Sequence, residues 1–487
     1  MKTVQIDPIT RLEGHGRIDI FLDDDGHVEN AYLRIPELRG FEQFCVGRPV
    51  EEMPRITTRI CGVCPEAHHM ASAKACDAVY HVDPPETAVL LRRLLYNVFY
   101  VADHTVHFYI LSGPDFVVGP DAPVSQRNIF GLIDKVGVET GKKVIGARRR
   151  AQELIKLLGG KSVHQVTSLP GGVTRGLSEE ERAQAEEVCV ELVEFAKFTV
   201  QILDDVVLKN QAYLEMITSD TFRHETHYMG LVDEQNRPDY YDGKVRLVDT
   251  RGKQIARFAP ADYLQHVAEH VEPWSYLKLP YLRARGWHGL VDGDASGVYR
   301  AAPLGRINVA EGMSTPLAQQ QYELMMETLG GPPVHLTLAY HWARVIELLN
   351  AAESALALTR DPRITGDELR EVPSATPDEG VGIVEAPRGT LIHHYVTDSN
   401  GILQKVNLIV GTTNNNAAMN LSIAKASREL VEQHGKLTDG VLNRIEMAFR
   451  AYDPCMGCAT HALPGRAPLD VRLHDSKRGE IDRRVRD

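Results

Sequence analysis

No stretch of this chain approaches the ~20 consecutive apolar residues that a membrane-spanning helix needs. No membrane span is therefore expected. The first residues, MKTVQIDPITRLEGHG, carry no apolar signal-peptide core, and the expected location is cytoplasmic. Positive charge is not in excess. The 54 Lys and Arg stand against 66 Asp and Glu, a net charge of −12, so nothing points to nucleic acid or an acidic membrane surface as partner. Cysteine is scarce and odd in number, seven in 487 residues, which argues against a secreted disulfide framework. No internal repeat or low-complexity segment is present. The 43% hydrophobic and 25% charged shares are those of a globular protein.

Four of the seven cysteines form two C-x-x-C pairs at opposite ends of the chain. They are Cys61 and Cys64 in RICGVC, and Cys455 and Cys458 in DPCMGCATH. One such pair is a weak signal. Two read as a four-thiolate metal site, and soft sulfur ligands select zinc, copper(I), nickel or iron. Structural zinc knuckles usually fix a short loop, with ~15–20 residues between pairs. Ligands drawn from both ends of a large chain point instead to a buried functional centre, in one body that brings its termini together. The remaining Cys45, Cys76 and Cys189 are scattered and read as small buried apolar residues. A cubane iron–sulfur cluster needs about four cysteines, so a redox centre here passes its electrons to another polypeptide.

Periodicity predicts an α+β fold, mainly helical, with a large helical body and β-rich lobes. Residues 4–35 alternate apolar and polar around Asp25-Gly26, as a β-hairpin does. Pro65 opens a helix through HHMASAKACDAVY. A helix is expected over about 86–111, with His104 and His107 one turn apart. Ser178 and Glu181 form a capping box at the head of a helix reaching about 218. Residues 227–300 read as a small sheet-rich insert. Two helices follow, about 316–329 and 335–359. Residues 380–411 read as strands with Asn400-Gly401 as a turn, and a helix from Thr438 to about 451 delivers Asp453-Pro454-Cys455.

Both cysteine motifs resemble the signatures of the large, catalytic subunit of nickel–iron hydrogenases. Further motifs follow in that family's order from Ile9 to His461: ITRLEGHGR, RGFE, HFYILSGPD, EAPRG and NLIVGTT. The resemblance implies one domain over 1–461 and a C-terminal extension, 462–487, of the kind the family removes on maturation by a dedicated protease. It implies a nickel–iron centre with Cys61 and Cys455 as terminal nickel ligands. Cys64 and Cys458 would bridge nickel to iron, and carbon monoxide and cyanide would sit on the iron. Arg388, in EAPRG, is then the cation beside the open site, with Pro387 in its wall. Thr412 is the donor to cyanide, although Gly411 stands where many relatives have proline. Asp115 and Asp453 match the acidic residues near the arginine. His68, one helical turn beyond Cys64, matches a histidine that hydrogen-bonds a bridging sulfur. Glu13 matches the first proton relay beyond a terminal cysteine. Glu42, His461 and the carbonyl of Leu408 match a second site for magnesium or iron, where a hard ion keeps several waters.

The function implied is reversible heterolytic cleavage of dihydrogen. The forms CPEAHHMASAKA and AYDPCMGCATH are most similar to cytoplasmic, bidirectional members linked to soluble carriers. The implied partners are the small iron–sulfur subunit of hydrogenase, with further subunits serving NAD(P), a deazaflavin or ferredoxin. Three other readings are a dihydrogen-sensing regulatory protein, the related quinone-site scaffold of respiratory complex I, and a zinc-stabilised structural protein. The complex I homologue is not expected to keep all four cysteines, and this chain does.

Overall fold

The computed structural model describes the whole chain except residues 1, 36, 273, 435–437, 460–468, 476–478 and 487. Its body is built from four long helices, Glu86–Thr105, Val138–Gly159, Glu179–Leu203 and Tyr340–Thr359. The first packs on the second and fourth, and the third on the same two. Each turns an apolar face inward, so one core runs through the bundle and out under the sheets. The expected capping box is present. Ser178 Oγ accepts from Glu181 N at 3.1 Å, and Glu181 Oε2 accepts from Ser178 N at 3.1 Å.

Two predicted helices run differently. The 86–111 helix is α-helical only to Thr105 and then widens into a π turn, Val106–Ser112. Pro114 carries no N–H to continue the i−4 ladder, and Ser112 Oγ bonds back to His107 O at 3.1 Å. The helix expected to reach 218 passes through a π turn, Asp204–Leu208, and stops. Asn210 then caps a new helix, Gln211–Thr218, by accepting from Ala212 N at 3.1 Å.

The N-terminal hairpin has a third strand. Lys2–Ile6 pairs antiparallel with Arg17–Leu22, which pairs with Val28–Arg34. Residues 7–16, carrying the ITRLEGHG motif, leave the sheet as a loop. The 227–300 region forms strands, with His227–Val232, Lys244–Val248 and Gln254–Phe258 in one sheet and Val267–Val271 paired to Lys278–Leu282. It shares a small apolar cluster with Ile383, Ile392 and Ile409 of the sheet behind the site. Residues 469–475 and 479–486 pair as an antiparallel hairpin.

The sheet behind the site has three antiparallel strands, Glu379–Ala386, Gly389–Thr397 and Leu403–Ile409. The Pro65–Val79 helix lies across its first strand at backbone distance. A Cβ on Gly382 would meet Ala71 O at 2.2 Å and Ala75 N at 2.3 Å, so only glycine allows this approach. One end of that helix carries Cys64, and one end of that strand leads to Arg388. The close contact sets the two against each other.

Candidate metal centre

Each cysteine pair sits in a short loop held from outside. Cys61 is extended and follows a 3-10 turn, Thr57–Ile60. Cys64 is the N-cap residue of the Pro65–Val79 helix, with Pro65 at its first position. Val63 N and Cys64 N point at Cys61 Sγ, 3.2 and 3.1 Å away. The second pair follows the Asp439–Arg450 helix, which Thr438 caps. Arg39 ties the two loops together: its Nη1 donates to Ile60 O at 2.5 Å and to Gly457 O at 2.9 Å. The N-terminal loop is stitched on as well, because Glu13 O accepts from Met456 N at 3.0 Å.

The result is one cluster of four sulfurs, all within 4.8 Å of one another and all buried. Cys61 and Cys455 are 3.4 Å apart, Cys64 and Cys458 3.5 Å, and Cys455 and Cys458 2.8 Å. Burial first, and then the neighbouring sulfurs, push the Cys455 thiol well above the usual range, and burial does the same at Cys458 against the pull of Cys455. Four thiolates without a counter-charge are untenable in such a place. A bound cation would supply that charge and take the thiols to thiolates.

The sulfurs do not close the site. Beside Cys64, Cys455 and Cys458 lies a small space walled by Ala386, Leu391 and Val410, with Arg388, Thr412 and His68 at its edge. Structural zinc sites are closed, whereas catalytic metal sites keep an open position. His68 Nε2 is buried without a hydrogen-bond partner, a polar atom waiting for a group in that space. Its ring is fixed from behind, Nδ1 lying 3.2 Å from His393 Nε2, His393 Nδ1 2.6 Å from Tyr395 Oη, and Tyr395 Oη donating to Ser72 Oγ at 2.9 Å. Burial pushes the His68 imidazole down to about 4, so it stays neutral. Thr412 Oγ1 accepts from Cys455 N at 3.1 Å. Gly411 before it has φ −47° and ψ −53°, ordinary right-handed backbone. Donors, sulfurs and the open apolar space together fit a nickel–iron centre.

Arg388 is 3% exposed and lies between two carboxylates. Its Nη1 is 3.0 Å from Asp103 Oδ2 and its Nη2 3.0 Å from Asp453 Oδ2. Burial pushes both carboxyl groups up, against the pull of the Arg388 charge. Asp453 thus faces the arginine as expected. Asp115 does not. It lies beyond the π turn, where Oδ1 accepts from Arg11 Nη2 at 2.5 Å and Oδ2 from Arg450 Nη1 at 2.7 Å. The second acid beside Arg388 is Asp103, in the α-helical part ahead of the π turn. Its signal in the sequence is a carboxylate set inside an apolar helical stripe. Pro387 is buried at the turn, and the wall itself is made by Ala386 and Arg388.

Glu13 Oε2 lies 3.0 Å from Cys455 Sγ and also accepts from Gly457 N at 2.9 Å. Of the second-site residues, His461 lies outside the described residues. Glu42 and Leu408 do meet, but Glu42 Oε1 accepts from Leu408 N at 2.6 Å, and the cation beside Glu42 is Lys278 Nζ at 3.3 Å. Lys278 also reaches Glu269 at 3.2 Å, so two carboxylates face one ammonium.

A fold of this architecture, closing four cysteines beside an open apolar space and a buried arginine, has the form of a catalytic metal site. Residues 39–123 and 231–461 match the nickel-dependent hydrogenase family, and residues 3–38 match a HoxL-like family. The chain belongs to the nickel-dependent hydrogenases, as a catalytic large subunit. It is 48% identical over 486 residues to an F420-non-reducing hydrogenase iron-sulfur subunit of Archaeoglobus profundus, covering 100% of each. It is 39% identical to the beta subunit of the NAD-reducing hydrogenase HoxS of Cupriavidus necator, covering 99% of each. A crystal structure of an NAD+-reducing [NiFe]-hydrogenase in the H2-reduced state superimposes with a TM-score of 0.89 at 38% identity, over 95% of this chain and 100% of that one. Among the described residues, no helix is long and apolar enough to cross a membrane.

Proposed function

We propose that this chain splits dihydrogen heterolytically and reversibly, and passes the electrons to an iron–sulfur subunit, then on to a soluble carrier. The observation that carries this reading is the four-sulfur cluster with a carboxylate oxygen in contact with one of its sulfurs. When bound, a nickel–iron centre would supply the two-electron redox chemistry and the polarisation of dihydrogen. Cys61, Cys64, Cys455 and Cys458 would hold it through their four sulfurs. Carbon monoxide on iron would find apolar walls in Leu391 and Val410, and cyanide would find donors in Arg388 and the Thr412 hydroxyl.

The chain's own residues then move the proton. Arg388 places a fixed positive charge over the space where negative charge develops, which is worth most in a dry site. A proton reaching Cys455 Sγ passes to Glu13 Oε2, 3.0 Å away. Glu13 is half-buried, so it spans the sulfur cluster and the exterior. In the reverse direction the same pair delivers the proton. Asp115 has no part in this path, being held between Arg11 and Arg450. Glu42, which shares one ammonium with Glu269, is proposed with the Leu408 carbonyl and His461 as a second site for a hard cation. The segment after His461 is proposed as the piece removed on maturation.

The electrons must leave the chain. Cys45, Cys76 and Cys189 are each fully buried, and none joins the four-sulfur cluster. The exposed apolar set includes Val63 within the Cys61 loop, Leu38 next to the Arg39 that bonds to that loop, and Phe44 and Val46 further along the same segment, with Phe44 at 53% exposure. Val163 and Val166 join it, because His164 Nδ1 lies 3.0 Å from Thr58 O beside that loop. This surface suits a permanent iron–sulfur partner, since permanent interfaces are large and apolar. The similarity to NAD-reducing and F420-non-reducing hydrogenase subunits supports further subunits serving a soluble carrier. The test compares the purified single chain, metals loaded, with the whole complex. Only the complex should sustain dihydrogen-dependent carrier reduction. Sustained reduction by the single chain would contradict the partner assignment.

A further inference from the structure

Arg388 stands in an unusual place. The strands on either side pair in register, Glu385 with Thr390 and Ala386 with Gly389, so Pro387 and Arg388 form a two-residue hairpin tip. Hairpin tips normally lie on the surface, where water satisfies their carbonyls. This one is buried, and every buried carbonyl needs a donor. The tip is also shut in from the far side. Gly389 has φ +133°, and a Cβ there would meet Gly411 O at 2.5 Å.

Side chains from three other elements supply the donors. Tyr96 Oη and Tyr100 Oη donate to Glu385 O at 2.7 and 2.6 Å. Arg306 Nη1 donates to Ala386 O at 2.9 Å, and Arg306 Nη2 to Pro387 O at 3.1 Å. Asn415 Nδ2 donates to Arg388 O at 3.0 Å. Four consecutive carbonyls are thus gripped.

Arg306 is the hub. It has no exposed surface. Its remaining N–H groups reach Glu347 Oε1 at 2.5 Å, Glu347 Oε2 at 2.7 Å and Glu385 Oε2 at 2.6 Å. All five guanidinium donors are used. The two carboxylates are themselves fixed. Glu385 Oε1 accepts from Leu231 N at 2.8 Å and Thr390 Oγ1 at 2.7 Å, and His104 Nε2 lies 3.0 Å from Glu347 Oε2. Buried ion clusters of this kind are poor stabilisers compared with apolar packing. What the cluster does supply is one rigid geometry at the base of the hairpin tip.

We propose that Arg306 is a positioning residue for Arg388, gripping the two carbonyls that precede it and so fixing where the Arg388 guanidinium stands over the sulfurs. The proposal rests on the reading that Arg388 acts beside the metals. A lysine at 306 keeps the charge but lacks the planar fork, and a misplacement of about 1 Å at a reacting centre can cost ~100-fold in rate.

The test is a double-mutant cycle in the whole complex, using Arg306→Lys, Arg388→Lys and the pair. Turnover, nickel per chain and amide hydrogen exchange of the 384–390 peptide are measured. Arg306→Lys should keep its nickel, lose at least ~10-fold in turnover, and show faster exchange confined to that peptide. The pair should be no slower than Arg388→Lys alone, because the clamp acts only through Arg388. Additive losses, or faster exchange spread through the core, would overturn the clamp alone. Wild-type turnover in Arg388→Lys would instead remove the role of Arg388 itself, and the clamp with it. Should Arg306→Lys fail to load nickel, hydrogen exchange of the unloaded complex decides. Faster exchange confined to the 384–390 peptide supports the clamp, and unchanged exchange there overturns it.

Discussion

Cys455→Ser is expected to reduce dihydrogen oxidation to background and to lower bound nickel. Cys455 touches more of the centre than any single function requires: Cys61 at 3.4 Å, Cys458 at 2.8 Å and Glu13 at 3.0 Å. Serine is nearly the same size, so the loop should still close around Glu13 O and Met456 N. The hydroxyl is a hard, weakly acidic donor where a soft thiolate is needed. It also cannot offer Glu13 a sulfur-bound proton. Cys61→Ser should fail in the same way, since Cys61 faces Cys455 across the cluster. Nickel per chain and turnover, measured on the same preparation, check both variants. Normal activity in either would remove the metal assignment.

The second large effect is expected from Glu13→Gln. The amide keeps the shape, and its oxygen can still accept from Gly457 N, which holds Glu13 Oε2 at 2.9 Å. The loop and the four sulfurs should therefore stand, and nickel content should be that of the wild type. What is lost is a group that can take and release a proton beside Cys455 Sγ. General acid–base groups are worth roughly 100- to 10,000-fold, so turnover should fall by about 100-fold or more. Undiminished turnover with full nickel would return Glu13 to the status of a loop residue and send the proton elsewhere.

Much of this site is legible because its residues sit in short contiguous motifs. Cys61, Cys64, Cys455 and Cys458 announce themselves by spacing, and Arg388, Thr412, His68 and Glu13 by their neighbours in the string. Residues that act from the middle of long helices are harder to read. Asp103 belongs to an apolar helix whose period says only that one face is buried. That Asp103 meets Arg388 depends on which element packs against that face, and no periodicity shows that. Asp115 stands in a recognisable string, yet the π turn carries it to Arg11 and Arg450 instead.

The same limit applies to the supports. Arg39, in the RGFE string, joins both cysteine loops. Arg306 and Glu347 lie in helices whose sequence gives no reason to expect a buried ion cluster. Long-range pairing of charges is a tertiary fact, and a single sequence does not contain it. In the fold, the capping box, the Asn400-Gly401 turn and the strands on either side of it stand where local rules put them. The third N-terminal strand is hidden because the loop that separates it, residues 7–16, also carries a functional motif.

Metal analysis of the purified complex tests the central claim most directly. Stoichiometric nickel together with iron is expected in the catalytic chain, lost together when Cys61 or Cys455 is replaced by serine. Zinc alone, bound by the four cysteines without nickel, would contradict it.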